Sequence, residues 1–230
     1  MFKLFLTALI ISALGYSQDL SMQDGTFTRC EPDKFFDSGG EFGNYANDEN
    51  DVRVLEISAQ GDVFCAGGDL KFISELDNLR AGLAEMLGYL HSALGKIDHL
   101  DAPLIGAITG TAAGAGLSLV SACDLAIAGE SVNFTMAYTA AGLTPDASST
   151  FHLPRSIGKK RTMELMLTNR VLSAKEGVKW GLINLVVADD QVIEESEKLA
   201  RKIAEGPTQA YAGVKEMLRQ SFSNGLETQM

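Results

Sequence analysis

The sequence contains little cysteine and little positive charge. Its three cysteines, Cys30, Cys65 and Cys123, are too few and too scattered for a disulfide framework or a zinc site. The 19 basic residues are outnumbered by 30 acidic ones, which gives a formal net charge of −11. Nucleic-acid binding needs a basic surface that displaces counterions from phosphates. The composition therefore argues against a nucleic-acid partner, and the cysteine pattern implies no metal.

No apolar run in the sequence is long enough to cross a bilayer as a helix, which takes about 20 residues. The run Leu4–Leu14 follows Lys3 and has the basic start and short apolar core of a secretory signal. Ala13 and Gly15 could then serve as small cleavage-site residues. A gene-start artefact or an added amphipathic segment would leave the same pattern. Residues 1–18 are therefore set apart as a signal-like or extraneous segment.

Glycine, by contrast, is abundant, with 23 residues in a chain of 230, and apolar residues make up 46% of the sequence. A chain of this size can bury a substantial core as one domain. Short apolar runs alternate with helical stretches, which predicts an α/β fold with a mainly parallel sheet. The polar, glycine-rich segment between Pro32 and Asp51 favours a loop. The predicted strands are Val52–Ile57, Leu104–Ile108, Leu125–Ala128 and Ile183–Val187.

Two glycine-bearing loops follow predicted strands. They are Phe64-Cys65-Ala66-Gly67-Gly68-Asp69 and Gly110-Thr111-Ala112-Ala113-Gly114-Ala115-Gly116. Small residues let a ligand approach the backbone, and a helix that starts at such a loop aims free N–H groups at it. Neither loop shows G-x-G-x-x-G, and no Lys-Ser/Thr pair follows the second, so a nucleotide site is a poor alternative. The loops could converge two backbone donors on one oxyanion, or they could simply be tight strand-to-helix turns.

Further motifs along the chain make the sequence resemble the enoyl-CoA hydratase/isomerase (crotonase) superfamily. These motifs are Ala122–Ala128 (ACDLAIA), Gly142–Asp146 (GLTPD), Leu153–Gly158 (LPRSIG), Leu167–Arg170 (LTNR) and Glu176–Ile183 (EGVKWGLI). The resemblance implies a crotonase-type spiral of ββα units over residues 19–170, followed by a C-terminal helical region, residues 171–230, that mediates trimerisation. Members of the family continue beyond the position of Met230, so the C-terminus is expected to be truncated.

The same resemblance assigns roles at the two loops. It places the oxyanion-hole donors at the backbone N–H groups of Ala66 and Ala115. Removing one such donor typically lowers a rate by about 10²–10³-fold. The remaining positions implied to bind substrate are Gly67, Gly68, Asp69, Lys71, Gly114 and Tyr138.

The acid–base groups of a standard hydratase are missing. Hydratases of the superfamily position and activate water with two glutamates, and the resemblance matches those positions to Ser118 and Tyr138. Asp124 does not replace them because it belongs to a structural motif at the start of a strand. A standard hydratase is therefore not expected.

Asp146 is the candidate catalytic base. Its position matches the one where several isomerases of the superfamily, and the aryl-CoA dehalogenases, carry a catalytic aspartate. A partly desolvated carboxylate could take a proton from one carbon and return it to another, which is double-bond migration. The structural alternative is that Asp146 is the N-cap of a following helix, Ser148–Leu153.

His91 is the second catalytic candidate, because its position matches the dehalogenase histidine that activates water. A histidine beside an apolar helix face is also often a packing residue. With His91 as the water activator, Asp146 would attack an activated ring carbon and form a covalent intermediate. Tyr138 stands at the dehalogenase tryptophan position.

The resemblance therefore favours an acyl-CoA isomerase of fatty acid metabolism. Its substrate would be a coenzyme A thioester, with no metal or other cofactor, in a homotrimer or a dimer of trimers. Because CoA thioesters are cytosolic or organellar, a cytoplasmic location is expected. The alternatives are a dehalogenase-like aryl-CoA hydrolase and a non-catalytic acyl-CoA-binding member of the family.

Overall fold

The computed structural model describes residues 42–46, 52–59, 61, 63–68 and 73–230. Residues 1–18 and the sequence Asp24–Asp33 lie outside that part of the chain. The strands are β1 (Phe42–Ala46), β2 (Val52–Ile57), β3 (Val63–Cys65), β4 (Leu104–Ile108), β5 (Thr111–Ala113), β6 (Leu125–Gly129), β7 (Asn133–Thr135), β8 (Leu172–Ser173) and β9 (Leu185–Val187). The helices are α1 (Leu79–Asp98), α2 (Ala115–Ala122), α3 (Ser149–Ser156), α4 (Lys159–Thr168), α5 (Ala174–Trp180), α6 (Val192–Ala204), α7 (Thr208–Gln220) and α8 (Leu226–Gln229). Among the described residues, no helix is both long and apolar enough to traverse a bilayer.

The strands form two sheets. The larger sheet has the order β1-β2-β4-β6-β9, in which β1 runs antiparallel to β2 and the other pairs are parallel. The smaller sheet has the order β3-β5-β7-β8, parallel except for β8. In each of the pairs β2–β3, β4–β5 and β6–β7 the first strand joins the larger sheet and the second the smaller one, and a helix follows later in the chain, so the chain repeats a ββα unit. This confirms the α/β fold with repeated ββα units.

The apolar pattern of the sequence accounts for the central strands. Every residue of β4 is buried, as expected for a parallel strand covered on both faces. The main core lies between the two sheets and helices α1 to α5 and includes Phe134, Leu117 and Leu153. A smaller cluster of Val54, Ile105 and Ala200 packs α6 against the opposite face of the larger sheet.

Three predicted strands have almost the observed bounds, and two predictions need correction. The strand predicted at Ile183–Val187 begins later, at Leu185, because Leu182 and Ile183 pack into the main core instead. The loop expected between Pro32 and Asp51 is wrong for Phe42–Ala46, which pairs in antiparallel register with β2. Backbone pairing with a neighbouring strand overrides the low strand propensity of glycine and asparagine.

Candidate active site

The two glycine-bearing loops lie against each other because of sheet pairing. Strands β3 and β5 are parallel neighbours with Cys65 opposite Ala112, so the loops that follow them leave the same edge of the smaller sheet. Gly67 has φ of 92°, and a Cβ placed on it would lie 3.3 Å from the Ala115 nitrogen. Gly116 has no room for a side chain, because a Cβ there would overlap the carbonyl of Cys65.

Ala115 opens helix α2, and Ala66 is exposed in the first loop. The N–H groups of the first helical turn have no acceptor within their own helix. The Gly114 N–H donates instead to the Thr135 carbonyl at 3.0 Å, which fixes the start of the turn. The loop contact therefore places the first loop beside the first turn of α2. The donor assignments to Ala66 and Ala115 stay predictions.

Asp146 and His91 meet across the fold. His91 lies on α1 beside the buried Leu90, and its Nε2 is 2.7 Å from Oδ1 of Asp146. The side chains are 51% exposed for His91 and 30% exposed for Asp146, so the pair lies at the surface rather than in the core. The same Oδ1 accepts the N–H of Ala147 at 2.7 Å. The structure thus joins two residues 55 positions apart.

The backbone after Asp146 is strained. Ala147 and Ser148 have φ of 52° and 60°, a left-handed conformation that non-glycine residues adopt only at some cost in free energy. The Asp146 carbonyl accepts the N–H and hydroxyl of Ser149, at 3.1 and 2.8 Å. Helix α3 has Ser148 as its N-cap, so the alternative that Asp146 is the N-cap is wrong. Its carboxylate is held by His91 and its own neighbouring N–H instead.

Ser118 is the functional candidate that sequence reasoning missed, since it entered only as the position of a lost glutamate. It is fully buried in α2, and its hydroxyl lies 3.2 Å from the carbonyls of both Gly114 and Asp146. The hydroxyl is also 3.5 Å from the Tyr138 hydroxyl. One small polar side chain therefore links the second loop, Tyr138 and the Asp146 segment. The sequence offers no signal for this role, because a second serine, Ser121, lies in the same short helix.

Two groups beside the site stay uncharged near neutral pH. Burial raises the pKa of the Tyr138 phenol, and the Asp146 charge adds to that effect while the hydrogen bond with Ser118 opposes it. Burial also raises the pKa of the Cys65 thiol, against a hydrogen bond from the Gly67 backbone. No cluster of three or more His, Cys, Asp or Glu side chains in the described ranges could hold a metal ion.

The structure brings most of the predicted site residues into one neighbourhood. Asp69 and Lys71 lie outside the described residues. Gly68 is exposed in the first loop, and a Cβ there would meet only the side chain of Ile73, at 3.3 Å. The residues joined by contact or hydrogen bond are Gly67, Gly114, Ala115, Ser118, Tyr138, Asp146 and His91.

A separate cleft of about 160 Å³ opens between the ends of α1, α2, α3 and α7. It is lined by mixed side chains that include His152, Lys215, Asp124 and Phe222. Lys215 bridges the cleft to Asp124, with the Nζ 2.7 Å from Oδ2. None of the predicted catalytic residues lines this cleft.

Comparison with known proteins places the chain in a well-populated group. The family model described as enoyl-CoA hydratase/isomerase matches residues 40–230. The chain is 32% identical over 182 residues to 4-chlorobenzoyl coenzyme A dehalogenase-1 of Arthrobacter sp., covering 78% of this chain and 66% of the dehalogenase. It thus spans just under two thirds of that relative. It is 34% identical over 187 residues to 1,2-epoxyphenylacetyl-CoA isomerase of Escherichia coli K12, covering 79% and 70%.

Solved structures agree with the sequence comparison. The crystal structure of an enoyl-CoA hydratase from Bacillus anthracis superimposes with a TM-score of 0.74 at 33% identity, covering 80% of this chain and 70% of that one. An enoyl-CoA hydratase from Polaromonas sp. JS666 gives a TM-score of 0.73 at 32% identity, covering 78% and 70%. The range matched by the family model, residues 40–230, includes both loops, Asp146 and His91.

Proposed function

The chain belongs to the enoyl-CoA hydratase/isomerase family, and on that premise we propose that it is an acyl-CoA isomerase. Relatives are named for dehalogenase, isomerase and hydratase reactions, so the choice among these rests on the residues of the site. The observation that best supports the isomerase is the carboxylate of Asp146, which is held in a fixed orientation beside the two loops. Double-bond migration needs one fixed base next to an oxyanion hole.

The reaction follows from those groups. The N–H groups of Ala66 and Ala115 hold the thioester oxygen of a 3-enoyl-CoA. Asp146 removes a proton from the carbon next to the thioester carbonyl, and the negative charge passes to that oxygen as a dienolate. The protonated Asp146 then returns the proton to the far end of the dienolate. The double bond moves by one carbon, and the atoms balance without water, metal or a redox cofactor.

The absence of both hydratase glutamates supports isomerisation over hydration. Ser118 and Tyr138 occupy those positions, and the buried, neutral Tyr138 hydroxyl cannot act as a carboxylate base for water. Tyr138 and the glycines at positions 67, 68 and 114 are proposed to line the acyl and thioester site. We extend the proposal to Asp69 and Lys71 as CoA-binding residues.

The decisive test is isotope exchange with the purified full chain. The protein is incubated with a 3-enoyl-CoA in D₂O, and deuterium incorporation and double-bond migration are followed together. We expect Asp146→Asn to lower the rate by at least about 10²-fold, the usual contribution of a positioned acid–base group. Asp190→Asn, at an exposed aspartate remote from the site, serves as the matched control and should keep the wild-type rate. Wild-type protein that binds the thioester without double-bond migration would overturn the isomerase, since a proton returned by the same carboxylate need not exchange with solvent.

A dehalogenase-like hydrolase is the second candidate, because Asp146 and His91 lie in one site and one of the relatives is named as a dehalogenase. The relative named 4-chlorobenzoyl coenzyme A dehalogenase supplies the substrate to try. Halide release from 4-chlorobenzoyl-CoA, lost in both Asp146→Asn and His91→Gln, would establish this reaction. Thioester binding with neither double-bond migration nor halide release would indicate a non-catalytic acyl-CoA-binding protein.

The substrate class, the location and the assembly of the protein are also part of the proposal. A CoA thioester is the substrate, and the proposed steps use no cofactor beyond it. Fatty acid metabolism supplies enoyl-CoA thioesters in the cytoplasm, so we propose that location. We also propose a homotrimer or a dimer of trimers as the assembled form, with the apolar surface of α7 in the interface.

A further inference from the structure

The carboxylate of Asp146 is engaged on one side only. Oδ1 lies 2.7 Å from His91 Nε2 and accepts the Ala147 N–H, also at 2.7 Å. Within the described residues, both hydrogen bonds of this carboxylate end on that oxygen. Oδ2 is therefore the oxygen that remains available to a substrate.

The backbone that carries the carboxylate is fixed as well. The Asp146 carbonyl receives the Ser149 N–H, the Ser149 hydroxyl and the Ser118 hydroxyl, at 3.1, 2.8 and 3.2 Å. The N–H of Ala147, the next residue, donates to Oδ1. The remaining freedom of the side chain is rotation about its own bonds, and a second donor on Oδ1 restricts that rotation.

His91 supplies this second donor from a different element. Leu90, Ala93 and Leu94 anchor α1 in the core, so the imidazole projects from a fixed helix toward Asp146. An ionised carboxylate only accepts hydrogen bonds, so Nε2 carries the proton in this contact. A nitrogen that carries a proton has no free lone pair, and Nε2 cannot activate water while the contact lasts.

We propose that His91 is a positioning residue, whose Nε2–H holds Oδ1 of Asp146 so that Oδ2 accepts the substrate proton. The proposal rests on the isomerase function proposed above and assigns its acting atom. It also separates this site from a hydrolase in which the imidazole itself activates water. Tyr138 and Cys65 are the other titratable groups at the site, and both are neutral near pH 7 because burial raises their pKa.

Two substitutions of His91 test whether this residue acts as a hydrogen-bond donor or as a base. His91→Gln keeps an N–H donor on a side chain of similar reach, whereas His91→Phe keeps a ring and removes the donor. We expect His91→Gln to exchange deuterium within about threefold of wild type, and His91→Phe to lose about 10–100-fold in kcat, the scale of a misplaced reacting group. KM should change by less than about threefold in both variants, since uniform substrate binding is untouched. His99→Gln is the matched control, because His99 is an exposed histidine at the C-terminal end of the same helix.

The difference between the two variants distinguishes positioning from a merely structural role, which the phenyl ring of His91→Phe would fill at least as well as the amide of His91→Gln. His91→Gln as inactive as His91→Phe would overturn the proposal, since the imidazole would then be needed for proton transfer.

A measurement without substrate tests the same contact. The chain has three histidines, so long-range ¹H–¹⁵N NMR can assign the His91 ring by difference with His91→Gln. We expect protonated Nε2 in wild type, with its resonance changed in Asp146→Ala. An unprotonated Nε2 overturns the positioning role whatever the activity. A protonated Nε2 in a protein without double-bond migration leaves the carboxylate held as proposed and refutes only the isomerase.

Discussion

Gly116 shows how tightly a single residue constrains the candidate site. A Cβ there would overlap the carbonyl of Cys65, which belongs to the backbone and can move only by shifting the first loop. We expect Gly116→Ala to lower the free energy of unfolding by about 1–3 kcal/mol. It should also lower the exchange rate, because the two loops separate. Urea denaturation and isotope exchange measure both effects.

Gly88 provides the matched control for that substitution. It lies in the middle of α1 with no atom near the position of an added Cβ. Gly88→Ala should raise the free energy of unfolding by about 0.5–1 kcal/mol, because alanine loses less backbone entropy in a helix. A Gly116→Ala protein as stable and active as wild type would contradict the packing described here.

At the residue scale, features that depend on the backbone are easier to predict from the sequence than contacts between side chains that are distant in the chain. Glycine spacing located both loops, because close backbone approach requires residues without side chains. The contact of His91 with Asp146 could not be derived in this way. It depends on how α1 and the start of α3 pack, 55 residues apart in the chain. Ser118 escaped notice because its role lies in the two carbonyls it reaches, which no sequence pattern reveals.

Lys215 connects helix α7 to the rest of the fold through hydrogen bonds. Its ammonium group contacts Oδ2 of Asp124 at 2.7 Å and the carbonyls of Ile97 and Ala102 at 3.2 and 3.4 Å. The side chain is only 14% exposed, so water replaces these bonds poorly. We expect Lys215→Met to lower the free energy of unfolding by about 1–3 kcal/mol, the loss for a largely buried charged hydrogen bond. Urea denaturation followed by circular dichroism measures it.

Lys198 gives the contrasting case on α6. It pairs with Glu194 and Glu195, but its side chain is 57% exposed. Lys198→Met should change the free energy of unfolding by less than about 0.5 kcal/mol, since exposed ion pairs stabilise little. Equal losses of unfolding free energy in Lys198→Met and Lys215→Met would contradict a stabilising role for the buried contacts of Lys215.

Secondary-structure elements were predicted where local signals and tertiary packing agree. The Ser173–Glu176 capping box begins α5 and Gly181, with φ of 85°, ends it, so both ends of this helix have local sequence signals. The continuous apolar run of β4 likewise matches its burial. Strand β1 shows the opposite case, since its pairing with β2 is a long-range contact that its glycine and asparagine do not signal.

Unfolding of the whole molecule should be sensitive to acid through His152. Burial, the largest influence, lowers the pKa of this imidazole below its ordinary value of about 6.5. As pH falls below about 6.5, the unfolded chain takes up this proton before the folded protein does, so stability falls with pH. His152→Gln should therefore show a smaller loss of unfolding free energy between pH 7.5 and 5.5, measured by urea titrations at both values. His99→Gln, with a side chain 63% exposed, should resemble wild type, and an unchanged loss in His152→Gln would contradict the argument.

The proposed trimer or dimer of trimers can be tested at the surface of α7 and α8. Large apolar side chains remain exposed along it, namely Val214, Met217, Leu218, Phe222 and Leu226, at 49–69% exposure. A contiguous apolar surface of this kind usually marks an interface. We expect light scattering on a gel-filtration column to give three or six times the 24.6 kDa chain mass, and the double change of Met217 and Leu218 to glutamate to give the single mass. Leu79→Glu, at an exposed leucine on α1, should leave the assembly intact. A wild-type protein eluting at the single mass would show instead that these helices need no partner copy.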